Sequence, residues 1–285
     1  MNIYKLPTFP EPSRPITRTG FEQATEKRAP WYQTDEKGME RHYALCPACV
    51  NPIQIIGLYT EGKPYGRHNN KAVSGIAALA PEELETCPLF LRRRPLHKNS
   101  RRPVESKTAA EILKRLVAEF EHIPWFLKKA TGIHYSRGLI AKMLDSYIAE
   151  RGWRYLGATL LNIPWIFAYM SDSQSLFGQR IIDPQIRRTI LDHTPEAAFT
   201  EDNRLVNKEN MNFSMFVCFI GHQSKRDNEQ FQESMIMSIS NHNQNIYRKK
   251  IIFDYDFYAK VLNKPFNDKN YQTLASEKLG MFLGG

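Results

Sequence analysis

Residues 46–59 read CPACVNPIQIIGLY, and this stretch decides how the chain is organised. Cys46 and Cys49 flank Pro47 and Ala48. Two thiolates at this spacing grip one Zn2+ from a tight knuckle whose backbone amides point at the sulfurs. A redox pair with the same spacing needs a helix after it, and Asn51-Pro52 breaks any helix there. Cys87 is the only other cysteine in the first hundred residues; the fourth, Cys218, is far away. His68 closes the turn-rich run Lys63-Pro64-Tyr65-Gly66-Arg67-His68, with 18 residues between Cys49 and His68 and 18 between His68 and Cys87. A Cys46, Cys49, His68, Cys87 set leaves no coordination position open for water, so its zinc is structural, one per chain. It would hold together about fifty residues with too small a core of their own. His97 and His42 are the alternatives to His68. Cys218, between Val217 and Phe219, reads as core filler.

Working outward, residues 1–39 carry Pro7, Pro10, Pro12, Pro15 and Pro30 and read as an extended arm, partly docked by Phe9, Phe21 and Trp31. Residues 40–91 form the zinc-binding module, with an apolar strand at 54–59 and a helical turn at 81–86. Residues 92–105 form a basic linker stiffened by Pro95 and Pro103. Residues 106–285 form an α+β domain. In it, Ser106 caps a helix bearing Ile112, Leu113, Leu116, Val117 and Phe120, which Pro124 ends or kinks. A second helix spans 136–151, with Gly152 at its C-terminal end. Residues 153–170 predict a helix and then a short strand. Alternation predicts strands at 213–222, 234–240 and 246–254, a polar loop at 223–232, and a closing helix at 255–262. The expected fold class is α+β: a small zinc-stabilised N-terminal module, a helical middle, and a C-terminal antiparallel sheet with helices.

The chain has 285 residues, 42% hydrophobic, 12% aromatic and 24% charged, which excludes whole-chain disorder. No apolar run approaches the roughly 20 residues of a membrane helix, and the first residues carry no signal-peptide core. A cytoplasmic protein is expected, where clustered cysteines bind metal rather than pair as disulfides. Net charge is +9, and residues 88–107 alone supply seven positive residues against Glu105. A concentrated basic block suits a polyanion, above all nucleic acid, through counterion release. The candidate nucleic-acid contacts are Arg92, Arg93, Arg94, Lys98, Arg101 and Arg102, with a second patch at Arg248, Lys249 and Lys250 beside Tyr247 and Phe253.

Weaker constellations point elsewhere. Asp254 and Asp256, with Glu233, suggest a metal-dependent nuclease, though the required Asp…Glu-x-Lys order is absent. Lys128, Lys129, Arg137 and Lys142 flank Thr131-Gly132-Ile133-His134, where a helix-turn-helix would send residues 136–142 into a major groove. An ordinary helical hairpin explains the same pattern. No Gly-rich phosphate loop and no GxSxG motif occurs.

The block 46–59, with KPYGRH at 63–68 and Cys87-Pro88, resembles a zinc-finger family of bacterial plasmids and integrated mobile elements. The resemblance implies Cys46, Cys49, His68 and Cys87 as ligands and a mobile-element setting, and it implies no activity. Residues 147–167 (YIAERGWRYLGATLLNIPWIF) are similar in texture to a segment of the backbone subunits of type I-F CRISPR surveillance complexes, where a helix leads into a strand on guide RNA. Here Leu161-Asn162-Ile163-Pro164 departs from that family's pattern, and its Arg-Asn-Arg is missing. The expectation is a zinc-stabilised, non-enzymatic nucleic-acid-binding protein of a mobile-element or defence locus, within a nucleoprotein complex. The alternatives are a zinc-scaffolded protein-interaction module or a nuclease effector.

Overall fold

A computed structural model of the chain describes residues 1–8, 13–85, 87, 89–90, 97–209, 211–227, 230–264 and 269–283. They divide into two compact units, Met1–His97 with Thr159–Leu161, and Lys98–Ala158 with Asn162–Gly285. The α+β class is observed, with antiparallel pairing in every sheet.

In the first unit, β1 (Ile3–Tyr4) pairs with β2 (Arg14–Pro15), and α1 (Arg18–Thr25) starts at Thr17, whose hydroxyl accepts from the Gly20 N–H. An antiparallel meander follows: β3 (Tyr32–Thr34), β4 (Glu40–Leu45), β5 (Pro52–Ile56) and β6 (Tyr65–His68). A short helix, α2 (Pro81–Glu85), has Pro at its start and two acids in its first turn. Residues 1–39 are therefore not an extended arm. Tyr4 and Phe21 are fully buried with rings 5.1 Å apart, Lys5 bridges to Leu45, and the Met1 carbonyl accepts from the Gly66 N–H at 2.7 Å. Pro7, Pro15 and Pro30 punctuate short pieces that pack on the meander, and this burial outweighs their extended bias; Phe9, Pro10 and Pro12 lie outside the described residues.

The second unit opens with α3 (Lys107–Glu119), capped by Ser106 as expected. The chain then breaks at residues 120–121, so Pro124 does not end that helix; it sits in the first turn of α4 (His122–Thr131), where proline is tolerated. β7 (Ile133–His134) and α5 (Arg137–Ala149) follow. Arg151 takes the left-handed conformation expected of Gly152. Gly152 instead begins a 3-10 turn, where a Cβ would fall 2.3 Å from the Tyr147 ring. The helix expected early in 153–170 lies at its end, as α6 (Ile163–Met170), and no strand follows it within that stretch. Every residue of α6 is buried, the mark of a central helix, so residues 163–170 form a helix and not a strand.

β8 (Gln174–Ser175), β9 (Arg180–Ile181), α7 (Pro184–His193), β10 (Ala197–Phe199) and β11 (Leu205–Asn207) lead to the main sheet. That sheet is formed by β12 (Met215–Asp227), β13 (Gln230–Asn241), β14 (Gln244–Ile252) and β8, in the order β14-β13-β12-β8. The stretch expected as a polar loop at 223–232 continues β12 and β13 as a long hairpin. A bulge between Ile220 and Gln223, with Gly221 at φ 64°, interrupts the alternation that would have revealed it. One sheet face buries Val217, Phe219, Met235, Met237, Ile239 and Ile251, and α6 packs on β12. α8 (Tyr255–Leu262) and α9 (Lys269–Leu279) complete the unit. Cys218 is half-buried on the other face of the sheet, so it is not core filler.

Candidate metal centre

The β4–β5 connection is the knuckle. Leu45 ends β4 and Pro52 begins β5; between them the Val50 N–H donates to the Cys46 carbonyl at 2.9 Å and the Cys46 N–H to the Asn51 carbonyl at 2.8 Å. Val50 sits at φ 58°, which turns the chain tightly enough to bring both sulfurs to one side. Pairing of Ile53 with His68 sets the end of β6 beside the knuckle. The Cys87 N–H donates to the Leu84 carbonyl, which holds the third thiol just past α2.

Cys46, Cys49, His68 and Cys87 each offer one ligand atom, all lie within 4.8 Å of one another, and all four residues are buried. The Sγ atoms of Cys46 and Cys87 are 3.7 Å apart, and the His68 Nε2 lies 3.5 Å from Cys49 Sγ and 3.7 Å from Cys87 Sγ. Tetrahedral zinc, with bonds of about 2.3 Å to sulfur and about 2.1 Å to nitrogen, requires edges of about 3.8 Å and about 3.6 Å. The group fits one metal ion. Burial pushes the Cys46 and Cys87 thiols well above their ordinary pKa. Burial also raises Cys49, but hydrogen bonds with Cys46, Cys87 and His68 outweigh it and bring that thiol well down. The Asn51 amide donates to Cys49 Sγ at 3.4 Å and to the Ala80 carbonyl at 3.1 Å, while its oxygen accepts from the Ala80 N–H at 2.7 Å. Phe90 meets the His68 ring edge-on, with centroids 5.4 Å apart. Neither alternative histidine joins the group: His42 Nε2 bonds Glu40 Oε1 at 2.9 Å, and His97 is exposed.

The other predicted residues are placed differently. Arg92, Arg93 and Arg94 lie outside the described residues. Lys98 sits over the Tyr169 ring at 5.4 Å. Arg101 binds the Glu150 carboxylate at 2.6 Å and the Glu150 carbonyl at 2.9 Å. Arg102 is 1% exposed and donates to the Tyr155 carbonyl. Arg101 and Arg102 thus serve the fold of the second unit, and the expectation of solvated guanidinium groups there is corrected. Strand alternation splits the second patch: Arg248 and Lys250 are exposed on the outer sheet face, whereas Lys249 turns inward and lies 3.6 Å from the Asp183 carboxylate. Tyr247 and Phe253 share the inward side, and Phe253 is stacked between Trp165 and His222.

The nuclease constellation does not assemble. Asp254 caps α8 by accepting from the Phe257 N–H at 2.9 Å. Glu233 is 1% exposed and bound on all sides: His222 Nε2 lies 3.0 Å from Oε1, the Asn162 amide donates to both oxygens at 3.1 and 3.2 Å, and the Tyr255 hydroxyl donates to Oε2. Tyr155 continues the cluster to His222 Nδ1 at 3.1 Å. Burial, and then the Glu233 charge, raise the Tyr255 pKa well above its ordinary value. Residues 128–142 do not form two helices joined by a tight turn. Gly132 ends α4 at φ 77°, and β7 then pairs with β9 before α5 begins. Among the described residues no helix is long and apolar enough to cross a membrane. No family model, curated protein or solved structure matches the chain.

Proposed function

We propose that the protein is a zinc-stabilised, non-enzymatic nucleic-acid-binding protein. The single observation that carries the zinc is the closed Cys46, Cys49, His68, Cys87 group, whose sulfur and nitrogen spacings match a tetrahedral ion. Four protein ligands leave no open position, so the metal organises the first unit instead of activating water. Nucleic acid as partner is supported by the net charge of +9, by the run Arg92, Arg93 and Arg94 in the sequence, and by Arg248 and Lys250 exposed on one sheet face. The mobile-element or defence setting rests on the resemblance of residues 40–90 alone.

A second reading, a protein-interaction module, is favoured by one observation. Ile220 and Ile252 are 40% and 51% exposed on the same outer sheet face. One experiment separates the two. Purified full-length chain is assayed for zinc by mass spectrometry and titrated with labelled DNA and RNA across a salt series. The nucleic-acid reading requires about one zinc per chain and an affinity that falls steeply with salt. Zinc without any nucleic-acid binding at low salt would put the interaction module first.

A further inference from the structure

On the second unit, three basic side chains lie in one row across adjoining strands. His134 of β7 pairs with Arg180 of β9, and Arg180 pairs in turn with Arg204, the residue before β11. Their chain neighbours Ile133, Ile181 and Leu205 are fully buried, so alternation turns His134, Arg180 and Arg204 to the opposite, outer side. The Ile181 N–H donates to the Asn203 carbonyl at 2.9 Å, and the Leu205 N–H to the Gln179 carbonyl at 3.0 Å. Arg180 and Arg204 form the pair between those two bonds, the antiparallel position that sets side chains closest. Like charges directly opposite one another destabilise a sheet. Burial lowers the His134 pKa from its ordinary value, and the charges of Lys128, Arg180 and Arg204 lower it further, so Lys128 of α4 belongs to the same cluster.

Among the described residues one carboxylate pairs with these cations. Asp202 Oδ2 lies 2.9 Å from Arg204 Nε and 3.7 Å from Arg180 Nε, and the Arg180 Nε donates to the Asp202 carbonyl at 3.0 Å. The Gly178 carbonyl accepts from one terminal nitrogen of Arg204 at 3.4 Å. Among the described residues, the other terminal guanidinium nitrogens, both His134 ring nitrogens and the Lys128 ammonium have no hydrogen-bond or ion-pair partner. The Arg180 and Arg204 side chains are 38% and 50% exposed.

We propose that Lys128, His134, Arg180 and Arg204 form a binding row for phosphate groups. The planar forks of the two arginines match phosphate oxygens, the imidazole adds an N–H donor, and the lysine supplies a compact point charge. A bound phosphate relieves the repulsion that the strand pairing imposes. A phosphodiester backbone and a free phosphate present the same oxygens. The first source rests on the nucleic-acid reading above; the second does not.

The test uses the full chain. Fluorescein-labelled DNA and RNA, single-stranded and duplex, are read by anisotropy across a salt series, and inorganic phosphate is titrated by calorimetry. The Arg180→Gln, Arg204→Gln double variant should weaken binding about tenfold. It should also reduce the salt slope by about 1.4–1.8, at about 0.7–0.9 per phosphate contact. Lys128→Gln removes a side chain with no partner, so it keeps the fold if the double variant proves unstable; it should reduce the slope by about 0.7–0.9. Asp202→Asn removes the competing carboxylate and should tighten binding about threefold. A cluster that serves only the fold would lose stability in Asp202→Asn and gain no affinity. A wild type that binds phosphate but no nucleic acid, and loses the phosphate in the double variant, would keep the row and overturn the nucleic-acid reading. Nucleic-acid binding that none of the three variants alters, without variant-sensitive phosphate binding, would overturn the row and leave the broader reading standing. A wild type that binds neither ligand would overturn both.

Discussion

The Asn51 amide donates to the Cys49 sulfur at 3.4 Å while the same side chain clasps both backbone groups of Ala80. One residue thus orients a ligand and ties the knuckle to the segment leading into α2. Groups that hold a ligand from behind set metal affinity without touching the ion. Asn51→Ala should keep one zinc per chain but bind it about 10–100-fold more weakly in chelator competition. Unchanged affinity would show that the knuckle is rigid without it.

Cys49→Ser should lose zinc and destabilise the first unit, because the two remaining thiols and His68 are then buried without the ion they would share. Cys218→Ser should retain both metal and fold. Chelation of the wild type should reproduce the Cys49→Ser melting profile, read by circular dichroism. A Cys49→Ser protein that still carries a full equivalent of zinc contradicts the assignment.

Zinc uptake should release protons. Burial keeps the Cys46 and Cys87 thiols protonated above the usual range, whereas Cys49 is already held low. Zinc takes only thiolates, so binding near neutrality displaces about two protons. Affinity therefore rises with pH, by about a hundredfold per unit, and falling pH returns the protons and expels the ion. Calorimetry in buffers of different ionisation enthalpy counts the protons; a count near zero would contradict the burial argument.

The Glu233 cluster makes a prediction for the second unit. Glu233→Ala leaves His222, Asn162 and Tyr255 without their shared acceptor and should destabilise the unit by about 3–5 kcal/mol in urea unfolding. Asn162→Asp, which sets a second carboxylate against the first, should cost a similar amount. A loss below about 1 kcal/mol in both would mean that water replaces the missing partners.

The candidate metal group was legible because its chemistry is local: few residue types bind zinc, and a CxxC turn with His68 and Cys87 leaves few combinations. Ser106 and the apolar periodicity of α3 were legible for the same reason, as was the alternation of β12 through β14. Arg101 and Arg102 were misread because charge says nothing about partners; Glu150 and the Tyr155 carbonyl lie about fifty positions away and claim both. In the first 39 residues the docking of Phe21 was legible, but the short strands and α1 were not, because their structure comes from packing Tyr4 and Phe21 on distant strands and not from local propensity. α6 is apolar on every side, so no periodicity marked it as a helix.

The placing of α9 sets the order in which the second unit can be made. α9 packs on α3 and α5, Leu274, Ala275 and Leu279 are buried, and Lys278 reaches Asp145 at 2.5 Å. Residue 269 leaves the ribosome 150 positions after residue 119, on the order of ten seconds later at ordinary elongation rates. For that interval the apolar faces of α3 and α5 are on display to solvent without the helix that covers them. Nascent chains stalled before residue 269 should engage chaperones, and messages truncated there should yield products cleared by proteolysis rather than a smaller working protein.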